Sequence, residues 1–479
     1  MKKQESLKVN IAYQTFYRLL SIIMPLITSP YIARVLGAEG IGIYSYSYSI
    51  VTYFLLIAKL GIENYGNRTI ASVRDDQQKL NQTFSDIYSL HFIITLLVII
   101  GYFIFCQFRS ENRNIYYIQG IYLVAQLFDI NWFYFGIEKF RITVTRNSLF
   151  KIGTVVCVFL FVKSPQDTWK YVLILAAGSA ISESLVWIFI RKYITFRKPN
   201  VTQYKQILKP LLLLFIPTIA VSLYKVMDKI MLGAMSNLSE VGYYENSEKI
   251  ISICIGFVSA LGTVMLPRSA NLLAAGNIKE NQKLIDISIK VAFIASYAMS
   301  FGLIAISSTF PILFWGKDFS ACQMLLSGLA ITLPFTSIAN VIRTQYLMPR
   351  EMDKEYIVSV FCGAVVNLAI NFLLIPKFNA VGAVVGTICA EFTVCMVQIL
   401  YVRSSLPIWK YVKRSIPYLG VGLIMALSVR CIGYAFKISG FLLFIQLLIG
   451  VAIYGCLTLI YMSLSKDELF NKFVKRIKK

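Results

Sequence analysis

Residues 9–66 read VNIAYQTFYRLLSIIMPLITSPYIARVLGAEGIGIYSYSYSIVTYFLLIAKLGIENYG. An apolar run from Ile11 to Leu36 leads into a glycine-rich turn, 36–44, and a second apolar run reaches Gly61. Each run is roughly 20 residues or longer, which at ~1.5 Å per residue crosses a hydrocarbon core of about 30 Å. The pair therefore reads as a transmembrane hairpin. Arg18 lies inside the first run. An arginine is costly in lipid, so it is expected to face water or protein.

Outward from this hairpin the same pattern repeats. The 479 residues are 57% hydrophobic and 15% charged, with a mean hydropathy of +0.66. A soluble domain carries about 25% charged residues, so the chain reads as an all-α polytopic membrane protein. Apolar runs fall at about 11–35, 41–61, 84–106, 115–136, 147–162, 170–190, 209–235, 249–267, 288–308, 320–342, 356–375, 380–402, 416–436 and 441–464, giving about 14 transmembrane helices. Met1-Lys2-Lys3-Gln4-Glu5 leads into a run too long for a signal-peptide core, so the first helix is expected to remain in the mature chain.

The net charge of +23 invites a nucleic-acid reading, which the placement of the charges removes. With the N-terminus inside, 30 of the 47 Lys and Arg fall on the cytoplasmic segments between these runs and 6 on the external ones. This is the positive-inside asymmetry, and both termini are expected in the cytoplasm. The basic segments also attract anionic membrane lipids. No nucleic acid is expected as a partner.

The nine cysteines lie almost entirely in apolar runs without a Cys-x-x-Cys pair, and read as small buried hydrophobes. The lone His91 opens the third run and reads as an interfacial residue. One histidine without a thiolate or carboxylate cluster makes no metal site, and no cofactor is expected. No loop exceeds roughly 20 residues, where a soluble catalytic domain needs on the order of 50 or more. An enzyme with a cytosolic or external catalytic domain is thereby excluded.

Two short matches point to an internal repeat. Gly42-Ile43-Tyr44 after Glu39 matches Gly242-Tyr243-Tyr244 after Glu240, and Gly178-x4-Glu183 matches Gly386-x4-Glu391. Six runs per repeat is an even number, so both halves enter the membrane in the same direction. The chain then divides into a six-helix lobe at 1–198, a second at 199–404, and an added helix pair with a basic tail at 405–479. Lobes of this kind enclose a central cavity whose access alternates by rocking.

Charges deep in the apolar runs are the functional candidates. Lys59, Lys151, Lys249 and Arg343 lie near run ends and can snorkel to water. Arg18, Lys225, Asp228, Lys229, Asp129, Glu183, Glu391 and Arg430 are harder to place at an interface. Spacings of three and four put Lys225 on one helical face with Asp228 and Lys229. Glu183 and Glu391, at equivalent repeat positions, are either coupling sites for a proton or sodium ion or hydrogen-bonded links between helices. Tyr44 and Tyr48 share a helical face, and read as interfacial belt residues or as platforms for sugars.

Pro25, Pro30, Arg34, Leu36-Gly37, Glu39-Gly40, Gly42, Tyr44, Gly61-Ile62 and Arg68 together resemble the N-terminal signature of the Wzx-type polysaccharide flippases, members of the multidrug/oligosaccharidyl-lipid/polysaccharide exporter superfamily. Asn367, Asn371, Pro376 and Gly382 resemble the pattern of that family's second lobe. The resemblance implies the two-lobed architecture and an undecaprenyl-diphosphate-linked oligosaccharide as cargo, for capsule, O-antigen or exopolysaccharide assembly. A polysaccharide polymerase is the partner that such a pathway suggests. Arg18, Lys225 and Lys229, less Asp228, leave about two positive charges for a diphosphate. The rivals are a multidrug exporter or a peptidoglycan-precursor flippase of the same superfamily. A membrane-embedded polysaccharide polymerase or ligase would need an external loop that the chain does not offer.

Overall fold

The computed structural model describes residues 7–467 together with Phe470; the side chains of Arg18 and Lys225 lie outside the described residues. The described chain is helical and contains no strand. Among the described residues ten helical stretches are long and apolar enough to cross a membrane. Two of them, Leu20–Val73 and Asp353–Val402, each carry two of the apolar runs. The runs at 115–136 and 209–235 fall on further helices, so all fourteen are helical.

Two compact units divide the chain, 1–242 and 243–479. The first holds α1 (Leu7–Lys59), α2 (Ile62–Val73), α3 (Gln77–Gln107), α4 (Arg113–Leu127), α5 (Asn131–Gly136), α6 (Phe140–Phe161), α7 (Thr168–Leu185), α8 (Trp187–Ile190) and α9 (Tyr204–Met235). The next helix, α10 (Leu238–Ala274), begins in this unit and continues into the second. The second unit adds α11 (Ile278–Ile306), α12 (Phe310–Phe314), α13 (Cys322–Ala330), α14 (Thr332–Ile342), α15 (Asp353–Val402), α16 (Ile408–Ala435) and α17 (Gly440–Leu464).

The turn expected at 36–44 is tighter than its glycine content suggests. Helical geometry runs through α1 except at Gly37, whose φ of 68° and ψ of −178° belong to a region open only to glycine. α15 carries the corresponding break at Asn379, with φ 51° and ψ −132°. Gly42, further along α1, matters for packing. A Cβ at Gly42 would lie 1.7 Å from the carbonyl oxygen of Leu238, and one at Gly242 would lie 2.0 Å from that of Ala38. The two stretches matched in the sequence thus cross each other reciprocally: each glycine faces the residue four positions before the other. All four residues belong to the first unit.

Each unit has its own core. In the first, Phe84 of α3 stacks on Trp132 at 5.4 Å, in a cluster with Ile62, Ile70, Phe133 and Ile190. In the second, α16 and α17 pack on α11 through Val421, Met425, Val429 and Tyr454. Outside these cores the helices expose large apolar side chains such as Leu97, Leu160, Phe257, Phe372, Leu427 and Val451. In water such an apolar surface would be a liability; against lipid it is the solvent-facing side.

Two minor expectations are corrected. His91 is 1% exposed and packed against the α4 side chain Gln126, so it is a core residue and not an interfacial one: about four turns of α3 precede it. The cysteines are all free, but only Cys106, Cys322 and Cys395 are buried, while Cys431 and Cys456 are exposed on the apolar helices α16 and α17.

Candidate functional site

The tyrosine–serine alternation of α1 sorts side chains onto different neighbours. Ser45, Ser47 and Ser49 are buried. Ser47 Oγ donates back to the Ile43 carbonyl at 2.7 Å and accepts from Gln119 Nε2 of α4 at 3.0 Å, which satisfies a hydroxyl in an apolar setting. Tyr44 and Tyr48, one turn apart, stack at 5.6 Å with their planes 13° apart. Tyr171 of α7 meets Tyr44 edge-on at 5.1 Å, and Tyr122 of α4 meets Tyr48 edge-on at 5.2 Å. The result is a row of four rings where α1, α4 and α7 meet.

Tyr46 and Tyr53 turn to α9. A Cβ at Gly233 would lie 2.3 Å from the Tyr46 ring, and Tyr53 OH lies 3.5 Å from the Ser222 carbonyl oxygen. These contacts press the second half of α1 onto the part of α9 that carries the Lys225, Asp228 and Lys229 cluster. Asp228 is 2% exposed and Lys229 is half-buried. The side chains of Arg18 and Lys225 lie outside the described residues.

Glu183 is the centre of a buried polar network. Its Oε2 lies 3.3 Å from Arg146 Nη1 and accepts from Asn131 Nδ2 at 2.9 Å. Arg146 Nη2 also donates to Asn131 Oδ1 at 2.9 Å and to Asn147 Oδ1 at 2.7 Å. Asn131 in turn donates from Nδ2 to Asp129 Oδ1 at 2.7 Å, and Gln126 Nε2 donates to Asp129 Oδ2 at 3.2 Å. Lys59 Nζ stands 4.0 Å from Asp129 and from Glu63. Two carboxylates and two cations thus share one polar network between α1, α5, α6 and α7, in which hydrogen bonds link Asp129, Asn131, Arg146 and Glu183, and Lys59 joins through its ion pair with Asp129. Pairing of this kind is how a charge is tolerated away from water.

The sequence placed Asp129 and Glu183 among the deep charges but left Lys59 to snorkel and counted Arg146 as loop charge. The structure makes both their partners. One signal was available: Asp129, Asn131, Asn147 and Glu183 put polar side chains at the same level of three consecutive apolar runs, a density that lipid-facing helices do not carry.

Glu391, which the Gly-x4-Glu match pairs with Glu183 in the sequence, is 8% exposed in the second unit and accepts from Thr336 Oγ1 at 3.1 Å. The Gly-x4-Glu pattern has a packing basis in both units. A Cβ at Gly178 would meet Thr154 of α6 at 2.3 Å, and one at Gly386 would meet Asn371, in the first half of α15, at 2.0 Å. In each case the glycine admits the preceding membrane run. The proposed site residues are thus distributed over the tyrosine row, the α9 cluster, the Glu183 network and Glu391.

Comparison with known proteins supplies what the geometry alone lacks. Over 84% of its length the chain is 22% identical to a protein of Escherichia coli (strain K12) named for O-antigen transport, covering 97% of that protein. Over 70% of its length it is 22% identical to a protein of Haloferax volcanii named as a flippase of low-salt glycan biosynthesis, covering 70% of it. The fold superimposes on that of the lipid II flippase MurJ in its inward closed conformation with a TM-score of 0.73 at 17% identity, over 95% of this chain and 99% of MurJ. Residues 7–273 match the family model described as polysaccharide biosynthesis protein. That match covers more than half of the sequence and bears out the resemblance read from the motif around Gly37, and the chain belongs to the polysaccharide biosynthesis protein family.

Proposed function

We propose that the protein is a flippase that carries an undecaprenyl-diphosphate-linked oligosaccharide from the cytoplasmic to the outer leaflet of a bacterial inner membrane, with both termini in the cytoplasm. The observation that carries this reading is the family match together with relatives named for O-antigen transport and for glycan flipping. The helical architecture supports transport and not catalysis. The longest stretch between consecutive described helices, 191–200, has ten residues, far below what an appended catalytic domain needs.

The physical problem is moving a charged, hydrated head through hydrocarbon while its polyprenyl tail stays in lipid. Transfer of a bare diphosphate would cost tens of kcal/mol in the Born limit of about ε = 4. A polar interior bearing Arg18, Lys225 and Lys229 replaces the lost hydration, the guanidinium by a bidentate fork and the ammonium groups as point charges. Asp228 offsets one of these charges. No bond is broken, so no catalytic residue is required.

Glu183 fits a link between helices better than a coupling site, because Arg146 already neutralises it. Export of surface polysaccharide by cells lacking the chromosomal gene tests the cationic role. Arg18→Ala is expected to abolish export and Arg18→Lys to keep part of it, at matched protein levels. Equal export by the wild type and Arg18→Ala would remove Arg18 from the site.

A further inference from the structure

At one end of the first unit a cavity of about 790 Å³ opens between Ile43 of α1, the start of α4 and the turn leading into α7. Its lining combines an aromatic face with amide side chains and a single charge. Trp169 is 46% exposed there. Asn112, Asn114 and Gln166, all exposed, and Arg113 complete the polar wall. The lining contains no acidic residue and no second cation. A lone cation is a poor match for a diphosphate, and a lining in which six of eleven residues are polar is a poor match for a lipid tail.

The wall is built before any ligand arrives. Asp167 accepts from the backbone N–H groups of Lys163 and Ser164 at 2.9 and 3.0 Å, and pairs with Lys170 Nζ at 2.6 Å. These bonds fix the turn that carries Trp169. Thr168 is wedged against α1, where a Cβ at Gly40 would lie 2.8 Å from its Oγ1. Arg113 is held by Gln107 and by the Tyr117 ring, 5.5 Å from its guanidinium carbon, yet its Nε is buried without a hydrogen-bond partner. A buried donor left unpaired is costly unless something satisfies it.

We propose that this cavity is a subsite for the sugar part of the cargo at the outer end of its path, with Trp169 as the stacking platform and Arg113, Asn112, Asn114 and Gln166 as hydrogen-bonding partners of the hydroxyl groups. A pyranose ring offers one apolar C–H face and a rim of hydroxyls. That combination asks for one aromatic plane and several donor–acceptor amides. The single guanidinium also admits an acidic sugar. The same three helices that bound the cavity, α1, α4 and α7, carry the tyrosine row Tyr171–Tyr44–Tyr48–Tyr122. On the topology proposed above the cavity's mouth faces outward, so the inference rests on the flippase reading.

The test uses the full chain in lipid nanodiscs and, as probe, the lipid-free repeat-unit glycan released by mild acid from the host's surface polysaccharide. Calorimetric titration is expected to show binding to the wild type. Trp169→Ala and Asn114→Ala are each expected to weaken it by about tenfold, and Trp169→Phe to retain most of it. Variants are compared at unchanged unfolding temperature. Trp169→Ala is also expected to slow export in cells. No binding by the wild type, or equal binding by Trp169→Ala, overturns the subsite. So does weakened binding with unchanged export, which would assign the cavity to finished polysaccharide. Failure of the wild-type gene to restore export in deleted cells, with glycan binding intact, overturns the flippase reading while the binding site survives.

Discussion

At the scale of single residues, the Arg146–Glu183 pair decides how the first unit tolerates charge. Arg146 is 7% exposed and Glu183 19%, so removing either partner strands the other in an apolar setting. Arg146→Gln or Glu183→Gln alone is expected to cost about 3–5 kcal/mol of stability. The double substitution is expected to recover much of that loss, because two amides at these positions can still hydrogen-bond Asn131. Denaturation of the four proteins in one detergent gives the coupling; strictly additive losses would mean that the two side chains do not act as a pair. This pair also marks what sequence reading resolves. Glu183 stood out because a carboxylate in an apolar run is unusual. Arg146 did not, because it falls one position before the run drawn at 147, where a positive charge is ordinary. Helix ends are the least legible part of a sequence, and a buried partner at a helix end is hidden by that ambiguity.

At the scale of elements, two glycines of α1 are required for different reasons. Gly37 needs its backbone conformation: nothing lies within 4 Å of where its Cβ would be, but its φ is 68°. Gly42 needs its missing side chain: a Cβ would lie 1.7 Å from the Leu238 carbonyl oxygen. Gly37→Ala is therefore expected to cost about 1–3 kcal/mol through backbone strain. Gly42→Ala is expected to cost a similar ~1–3 kcal/mol through displacement of α10. Gly101→Ala, inside α3 where no neighbour lies within 4 Å, is expected to raise the unfolding temperature slightly, because alanine favours a helix interior by about 0.5–1 kcal/mol over glycine. Equal behaviour of all three would contradict this account of the break and the crossing. The sequence displayed the glycines and the repeat of Gly42 at Gly242. It did not display that the repeated stretches touch each other, since a match along the chain carries no distance in space.

At the scale of the whole molecule, hydropathy made the helical membrane class and all fourteen apolar runs legible, because lipid demands long apolar helices and forbids unpaired backbone. Runs in Leu20–Val73 and Asp353–Val402 join through single non-helical residues, Gly37 and Asn379, which average hydropathy does not resolve. The family was legible from the residues around Gly37, and its match covers residues 7–273. The central claim is that this chain moves a lipid-linked oligosaccharide across the bilayer. The most direct measurement reconstitutes the purified protein into vesicles that hold a polyprenyl-diphosphate-linked oligosaccharide in the inner leaflet, and follows its appearance outside with a glycan-binding probe. The account predicts glycan exposure in vesicles that contain the protein and none in protein-free vesicles. Equal exposure with and without the protein would contradict it.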